Sequence, residues 1–237
     1  MVRGPRTLTP PFITLPEPRG VARRLEDKSG YISPCGRRFP GVTTILGATS
    51  EGKERLQQWL KRPDAQSISD AAKARGTWTH NAIEAWIAAR TAGEEAPDPK
   101  HFAFGGYWRS MRPWLESHWT HAVAIEKPVY HPSGFAGSFD ALGYAAYGRN
   151  PEQLTLLDWK TSKNKRDAAL VEDYFCQLGA YAQGIHHVYG IRPERAVLVI
   201  ARPAGPPDVW ELSGDELAEA TCRFKKRLAT YYSMPQG

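Results

Sequence analysis

Cysteine is scarce in this sequence. The chain of 237 residues has only three, Cys35, Cys176 and Cys222, and no two of them form a C-x-x-C pair. Their wide spacing argues against a zinc ribbon, and the odd count argues against a framework of disulfides. We therefore expect a protein of a reducing compartment.

Long apolar runs are also missing. No stretch approaches the roughly 18 apolar residues of a transmembrane helix, so no membrane contact is predicted. Residues 1–20 lack the apolar core of a secretory signal. Arg3 and Arg6 faintly resemble a transit peptide, but five prolines through Pro18 oppose an amphipathic helix. We expect an intracellular, cytoplasmic location, with mitochondrial import disfavoured.

The length predicts one domain over residues 41–237. Its first part, 41–120, is predicted to be mainly helical, and 121–237 to hold a sheet core and the C-terminal helices. Residues 1–40 are predicted to be extended because proline recurs there. Residues 31–33 and 37–39 are compatible with a small hairpin.

Charge points towards a polyanionic partner. The net charge is +6 and the isoelectric point is near 9.2, which suits DNA. Many basic proteins bind no nucleic acid, so composition alone does not decide this.

Two helices are predicted with irregularities. Residues 64–90 have helical periodicity, with an interruption expected near Gly76. Residues 101–119 have an aromatic stripe that includes Tyr107 and Trp114, with a kink or break expected at Pro113. Such a stripe is usually core; the alternative is that one or two rings stack on unpaired bases.

Two strands carry the chemistry. Residues 135–147 and 154–160 have strand patterns, and residues 148–151 between them have a turn composition. Alternation places Asp158 and Lys160 on one face and Trp159 on the other. Antiparallel pairing would bring Asp140 beside Asp158. Two adjacent carboxylates repel each other, and a hard divalent cation relieves that repulsion.

Four segments together resemble a known family. Asp140 followed by Asp158-x-Lys160 resembles the PD-(D/E)XK nuclease superfamily. Three further segments resemble its RecB-like branch, and in particular the group of the mitochondrial genome maintenance exonuclease and its phage relatives. They are RGTWTH at 75–80, QLGAY at 177–181 and GVTTIL at 41–46. Gly41 departs from the group, which usually has Ser there.

The resemblance implies a fold and a metal site. The fold would be α/β (α+β), a restriction-endonuclease-like core with a central mixed four-stranded sheet flanked by helices. Asp140, Asp158 and Lys160 would be catalytic. Mg²⁺ or Mn²⁺ would be held by a set comprising His80, Asp140, Asp158 and the Trp159 backbone carbonyl. Iron–sulfur members of the branch need four cysteines, so no iron–sulfur cluster is expected.

Further residues are expected to support the site or contact DNA. Support is expected from Glu84, Glu126, Gln177 and Tyr181. The alternative for Glu84 and Glu126 is a solvated charge, and for Tyr181 it is core packing. The predicted DNA-binding residues are Arg75, Thr161, Ser162, Lys163, Lys165, Arg166, Gln177 and Tyr181. For residues 161–166 the alternative is a solvated loop.

The predicted function is a metal-dependent DNA nuclease, an exonuclease on single-stranded ends in replication, repair or recombination. The expected partner is DNA, preferably single-stranded, in a bacterial or phage-infected cell. A RecB-like endonuclease or double-strand exonuclease is the first alternative, and a non-catalytic DNA-binding protein of the same fold is the second. A third is an enzyme acting on a small phosphorylated substrate. The oligomeric state is left open.

Overall fold

A computed structural model of the protein describes residues 13–27, 29–50, 52–146, 152–166 and 171–235. Within these residues the chain forms an α/β fold with a five-stranded mixed sheet, six helices and a small three-stranded antiparallel sheet. The predicted class, helices around a central mixed sheet, is confirmed at this level.

The small sheet lies near the N-terminus. Its strands are β1 (Arg23–Arg24), β2 (Tyr31–Ile32) and β3 (Arg38–Phe39), paired antiparallel in that order. The predicted hairpin is therefore present, with one more strand beside it. Residues 1–12, part of the segment predicted to be extended, lie outside the described residues.

Four helices follow: α1 (Val42–Ala48), α2 (Lys53–Leu60), α3 (Ala65–Ala92) and α4 (Gly105–His118). The interruption expected at Gly76 is wrong, because α3 continues through it. A glycine inside a helix costs only about 1 kcal/mol, and buried residues on both sides, such as Ala65 and Ile83, hold the helix in place. Helix α4 likewise continues through Pro113.

The main sheet has the order β4-β5-β6-β7-β8. Its strands are Trp119–His131, Phe135–Ala145, Gln153–Thr161, Arg195–Ala201 and Asp208–Ser213. Only β6 and β7 pair in parallel, across the crossover that contains α5 (Glu172–Tyr189). The turn predicted at 148–151 lies outside the described residues.

The central sheet has five strands, so the prediction of four is wrong. Strand β8 pairs antiparallel along β7, from Arg195–Ser213 to Ile200–Asp208. The sequence does indicate a short strand here, but its composition does not say where that strand pairs. Pairing satisfies the backbone groups of β7 that would otherwise form a buried edge.

Helices cover both faces of the sheet. One face packs against α3 and α4, with Trp108, Met111 and Leu115 in its core. The other packs against α1, α5 and α6 (Gly214–Ser233), which begins with a capping box formed by Ser213 and Glu216. The aromatic stripe of α4 is buried, so its interpretation as core is confirmed. None of the described helices is both long and apolar enough to cross a bilayer.

Candidate metal centre

The centre lies where the ladder between β5 and β6 ends. Their last backbone pair within the described strands is Ala141–Leu157, and Asp140 and Asp158 occupy the next position along each strand. The Trp159 N–H donates there to Asp140 Oδ2, at 2.9 Å. Antiparallel pairing thus brings the two carboxylate positions to one point, as predicted. Asp140 is buried, and burial raises its pKa above the usual range.

Helix α3 brings His80 to this point from one face of the sheet. Its Nε2 atom lies 3.3 Å from the Trp159 carbonyl oxygen and 3.7 Å from Asp140 Oδ2. Its Nδ1 atom lies 3.6 Å from Glu84 Oε1, one turn along the helix. Burial lowers the pKa of His80, and the Lys160 ammonium lowers it further. The imidazole is therefore predominantly neutral at pH 7, the form that binds metals.

Strand β4 contributes Glu126. The flanking pairs Ile125–Ala141 and Lys127–Phe139 put Glu126 opposite Asp140. Its φ of 49° lies in the left-handed region, which is strained for a residue other than glycine. Glu126 Oε1 lies 3.9 Å from His80 Nδ1. Burial and the Asp140 carboxylate raise the pKa of Glu126 to about 7.

These three side chains form a set of potential ligands. One atom from each of His80, Glu126 and Asp140 lies within 4.8 Å of the other two. One imidazole nitrogen and two carboxylate oxygens suit Mn²⁺, and the oxygens suit Mg²⁺. The residues therefore fit a divalent ion. The sequence placed Glu126 only among the supporting residues, whereas the structure puts it within this set.

Asp158 has a different environment. Its Oδ2 is paired with the Lys160 ammonium, and its Oδ1 accepts a hydrogen bond of 3.1 Å from Gln177 Nε2. Gln177 also donates to the Tyr181 hydroxyl, at 3.2 Å. Gln177 and Tyr181 are buried on α5, so they reach Asp158 from the opposite face of the sheet to His80. Tyr181, Gln177 and Asp158 thus form a chain of hydrogen bonds, and Gln177 and Tyr181 lie where residues supporting the site were predicted.

The charges at the centre do not balance. Burial raises the pKa of Asp158 against the opposing effect of the Lys160 ammonium, to about 6. Burial lowers the pKa of Lys160, but the Asp158 and Asp140 carboxylates outweigh it, so this pKa lies above its usual value. Lys160 is thus protonated at neutral pH, and its ammonium offsets part of the negative charge of the surrounding carboxylates.

The predicted DNA-contacting residues fall into two groups. Arg75 Nε donates to Thr161 Oγ1 at 3.0 Å, at the end of β6. Lys163 and Lys165 are exposed in the loop that follows. Ser162, in contrast, is buried, and its hydroxyl donates to the Asn164 carbonyl and accepts from Arg166 Nε. Ser162 therefore shapes the loop from within.

Two neighbours of the centre were missed in the sequence. Ser138 Oγ donates to Glu126 Oε2 at 3.4 Å, and the Lys160 ammonium lies 5.6 Å from the centroid of the Tyr174 ring. Both follow simple spacing rules. Ser138 is two residues before Asp140 on one strand, and Tyr174 is three residues before Gln177 on one helix, so each shares the face of a predicted site residue.

Comparison with known proteins adds little. No family model matches the chain, and no curated protein sequence does either. The chain is similar to the solved structure of SSO0001, with a TM-score of 0.39 and 13% sequence identity, over 83% of this chain and 77% of that one. A likeness this distant carries no argument about function.

Proposed function

We propose that this protein is a metal-dependent deoxyribonuclease of the PD-(D/E)XK superfamily, with a restriction-endonuclease-like core. The observation that carries the proposal is the convergence of His80, Glu126 and Asp140 within 4.8 Å, next to the ion pair of Asp158 and Lys160. These residues come from α3 and three adjacent strands. The four sequence segments quoted above support the same assignment.

His80, Glu126 and Asp140 would hold the ion, Mg²⁺ or Mn²⁺, and the Trp159 carbonyl lies beside them. When bound, the ion supplies a water of lowered pKa and neutralises charge on the phosphoryl oxygens. Asp158 remains a predicted ligand; in the structure its two oxygens bind Lys160 and Gln177.

The other residues have roles that follow from their contacts. The Lys160 ammonium is protonated and adjacent to the ligand set, so it would orient the attacking water and stabilise charge on the phosphorus centre. Gln177, itself bonded to Tyr181, holds Asp158 in place and so fixes where Lys160 lies. This second layer of hydrogen bonds is what keeps catalytic side chains aligned.

Within this class we favour an exonuclease on single-stranded DNA ends, acting in replication, repair or recombination. The GVTTIL segment supports that choice over a RecB-like endonuclease or a double-strand exonuclease. Net charge of +6 suits either substrate.

The test is digestion of single- and double-stranded DNA with Mg²⁺, Mn²⁺ or EDTA. Linear molecules carry a label at one end, and circular molecules carry a label within the strand. We expect the linear single strand to be degraded with either metal and to survive in EDTA. Circular single strands should persist, because they offer no end.

Other outcomes decide between the alternatives. Cutting of circular DNA would indicate an endonuclease, and faster loss of linear duplex would indicate a double-strand exonuclease. Salt-dependent DNA binding without any metal-dependent cutting would leave a non-catalytic binding protein. If the protein neither binds nor cuts DNA, the proposal is refuted.

A further inference from the structure

A group of aromatic rings stands before helix α4. The His101 ring stacks on Phe104 with the centroids 4.4 Å apart and the planes at 8°, and on Phe102 with values of 5.2 Å and 14°. Trp78 of α3 packs at a tilt against His101, at 5.2 Å. We call these four rings the aromatic platform.

The platform has a free outer surface. Phe102 is fully exposed, at 102% of its reference area, unlike the buried rings of the α4 stripe. Exposure of a whole phenyl ring is unfavourable in water, by roughly 25 cal/mol per Å² of apolar surface. The rings that the sequence indicated as alternatives for base stacking are core, whereas Phe102 is exposed, on a support of the partly buried rings of His101 and Phe104.

The platform is also held in position. His101 Nδ1 accepts hydrogen bonds from the backbone N–H groups of Ala103 and Phe104, both at 3.1 Å. Just before it, Asp98 accepts a hydrogen bond of 2.8 Å from Trp108 Nε1 and pairs with Arg112 at 3.0 Å. A segment fixed in this way loses little conformational entropy when a ligand binds.

Helix α3 connects the platform to the metal centre. Trp78 lies two residues before His80, so one helix carries a ring of the platform and a ligand of the centre. Arg75, one turn before Trp78, lies over the Tyr107 ring at 5.2 Å and donates to Thr161, the residue after Lys160. The Arg75 guanidinium thus lies between the Tyr107 ring of α4 and Thr161 at the end of β6.

We propose that the aromatic platform stacks on an unpaired base of single-stranded DNA, and that Arg75 contacts the backbone of the same strand on its way to the metal centre. The flat, exposed ring of Phe102 suits a nucleobase, and the Arg75 guanidinium suits a phosphate. Duplex DNA buries its base faces in its own stack, so the platform selects single strands. The inference rests on the proposed function and adds a determinant of its substrate.

The test measures binding of a short single-stranded oligonucleotide in EDTA, so that cleavage plays no part. Phe102→Ala should weaken binding by roughly 5- to 150-fold, the range for removing one base–aromatic stack. Phe102→Trp should bind at least as tightly as the native protein, and Phe102→Leu should resemble Phe102→Ala. Leu60→Ala is the matched control, because it removes an exposed apolar side chain from α2.

An oligonucleotide of abasic sites supplies the decisive comparison. It keeps the phosphates and lacks the bases, so Phe102→Ala and the native protein should bind it equally. Equal losses on abasic and normal strands, full binding by Phe102→Leu, or no loss at all would overturn the platform. Metal-dependent digestion is measured separately. If the native protein cleaves DNA but Phe102→Ala binds the oligonucleotide normally, the platform is refuted and the nuclease proposal is not.

Discussion

Two clusters of titratable side chains in this protein place like charges close together, and they differ in how the resulting repulsion is relieved. One is the candidate metal centre around His80, Glu126 and Asp140. The other, which we call the histidine pocket, is a cavity of about 610 Å³ whose lining includes His131, His186, His187, Arg19, Arg192 and Lys225. The first crowds potential negative charges and the second crowds potential positive ones.

The histidine pocket can lose its excess charge by itself. Burial, together with the neighbouring His187, Lys225 and His186 side chains, lowers the pKa of His131 to about 4. Burial and Arg19 also lower the pKa of His187. A histidine with a lowered pKa is neutral at pH 7, so His131 and His187 add no repulsion to the neighbouring cations and need no ligand. The His131 ring nitrogens are already engaged, one with Ser133 and the other with Gln183.

The metal centre cannot do the same. Its shifted pKa values, about 7 for Glu126 and about 6 for Asp158, leave substantial negative charge at neutral pH. Its potential ligand atoms converge on one point instead of pairing off. The difference teaches that geometry distinguishes the two clusters: converging ligand atoms make the first the better candidate for an ion site.

The largest expected effect separates chemistry from binding at the metal centre. Asp158→Ala and Lys160→Ala should each reduce cleavage by about 10²- to 10⁴-fold, as expected when a residue acting on the proton or the developing charge is removed. Binding of DNA in EDTA should change little. The rates come from digestion of end-labelled DNA and the affinities from fluorescence anisotropy.

The control for these variants is Glu219→Ala, which removes an exposed carboxylate on α6. It should cleave at the native rate. Loss of binding in proportion to loss of cleavage, or unfolding of either variant, would contradict the assigned roles.

The effect of Mn²⁺ on the free energy of unfolding distinguishes the two clusters. Mn²⁺ at 100 times its Kd should raise the free energy of unfolding by about 2.7 kcal/mol, or the Tm by about 5–10 °C. His80→Ala and Glu126→Gln should lose most of this gain at the same concentration, because each removes a ligand. The measurement is thermal unfolding with and without Mn²⁺.

The matched variant comes from the histidine pocket. His131→Gln should keep the full Mn²⁺ shift if the ion binds only at the metal centre. In EDTA, Glu126→Gln should be at least as stable as the native protein, because it removes a charge that repels Asp140. A Mn²⁺ shift that depends on His131 but not on Glu126 would reverse the assignment of the two clusters.

The smallest expected effect lies in the histidine pocket and depends on pH. The pKa of His131 is about 4 when folded and about 6.5 when unfolded, so the unfolded chain binds more protons between these values. Stability from this group is therefore complete above pH 6.5 and is lost as pH falls towards 4. The loss should be about 1 kcal/mol or less, because solvent screens the partly exposed ring.

Urea unfolding of the native protein and His131→Gln at pH 7 and pH 5 tests this effect. The native protein should lose more stability than the variant on acidification. Other titrating groups are common to both proteins and cancel in the difference. Parallel pH profiles would show that folding does not lower the pKa of His131.

Local pattern predicted much of the fold. The alternation in β6 gave the correct faces of Asp158, Trp159 and Lys160, and the Ser213–Glu216 spacing gave the start of α6. It failed at Gly76, where tertiary contacts outweigh a local propensity of about 1 kcal/mol. It also failed to place β8 in the sheet, because pairing partners leave no mark on so short a strand.

The candidate site divides in the same way. The sequence alone supplied the candidates: strand alternation and pairing indicate Asp140, Asp158 and Lys160, and the resemblance of residues 75–80 indicates His80. Both signals are properties of the covalent chain. Only the tertiary structure decided that Glu126 joins the potential ligand set while Asp158 pairs with Lys160 and Gln177. It also decided that the aromatic rings of α4 are buried while Phe102 is exposed. Strand register and helix docking set those distances, and both depend on packing among residues far apart in the chain.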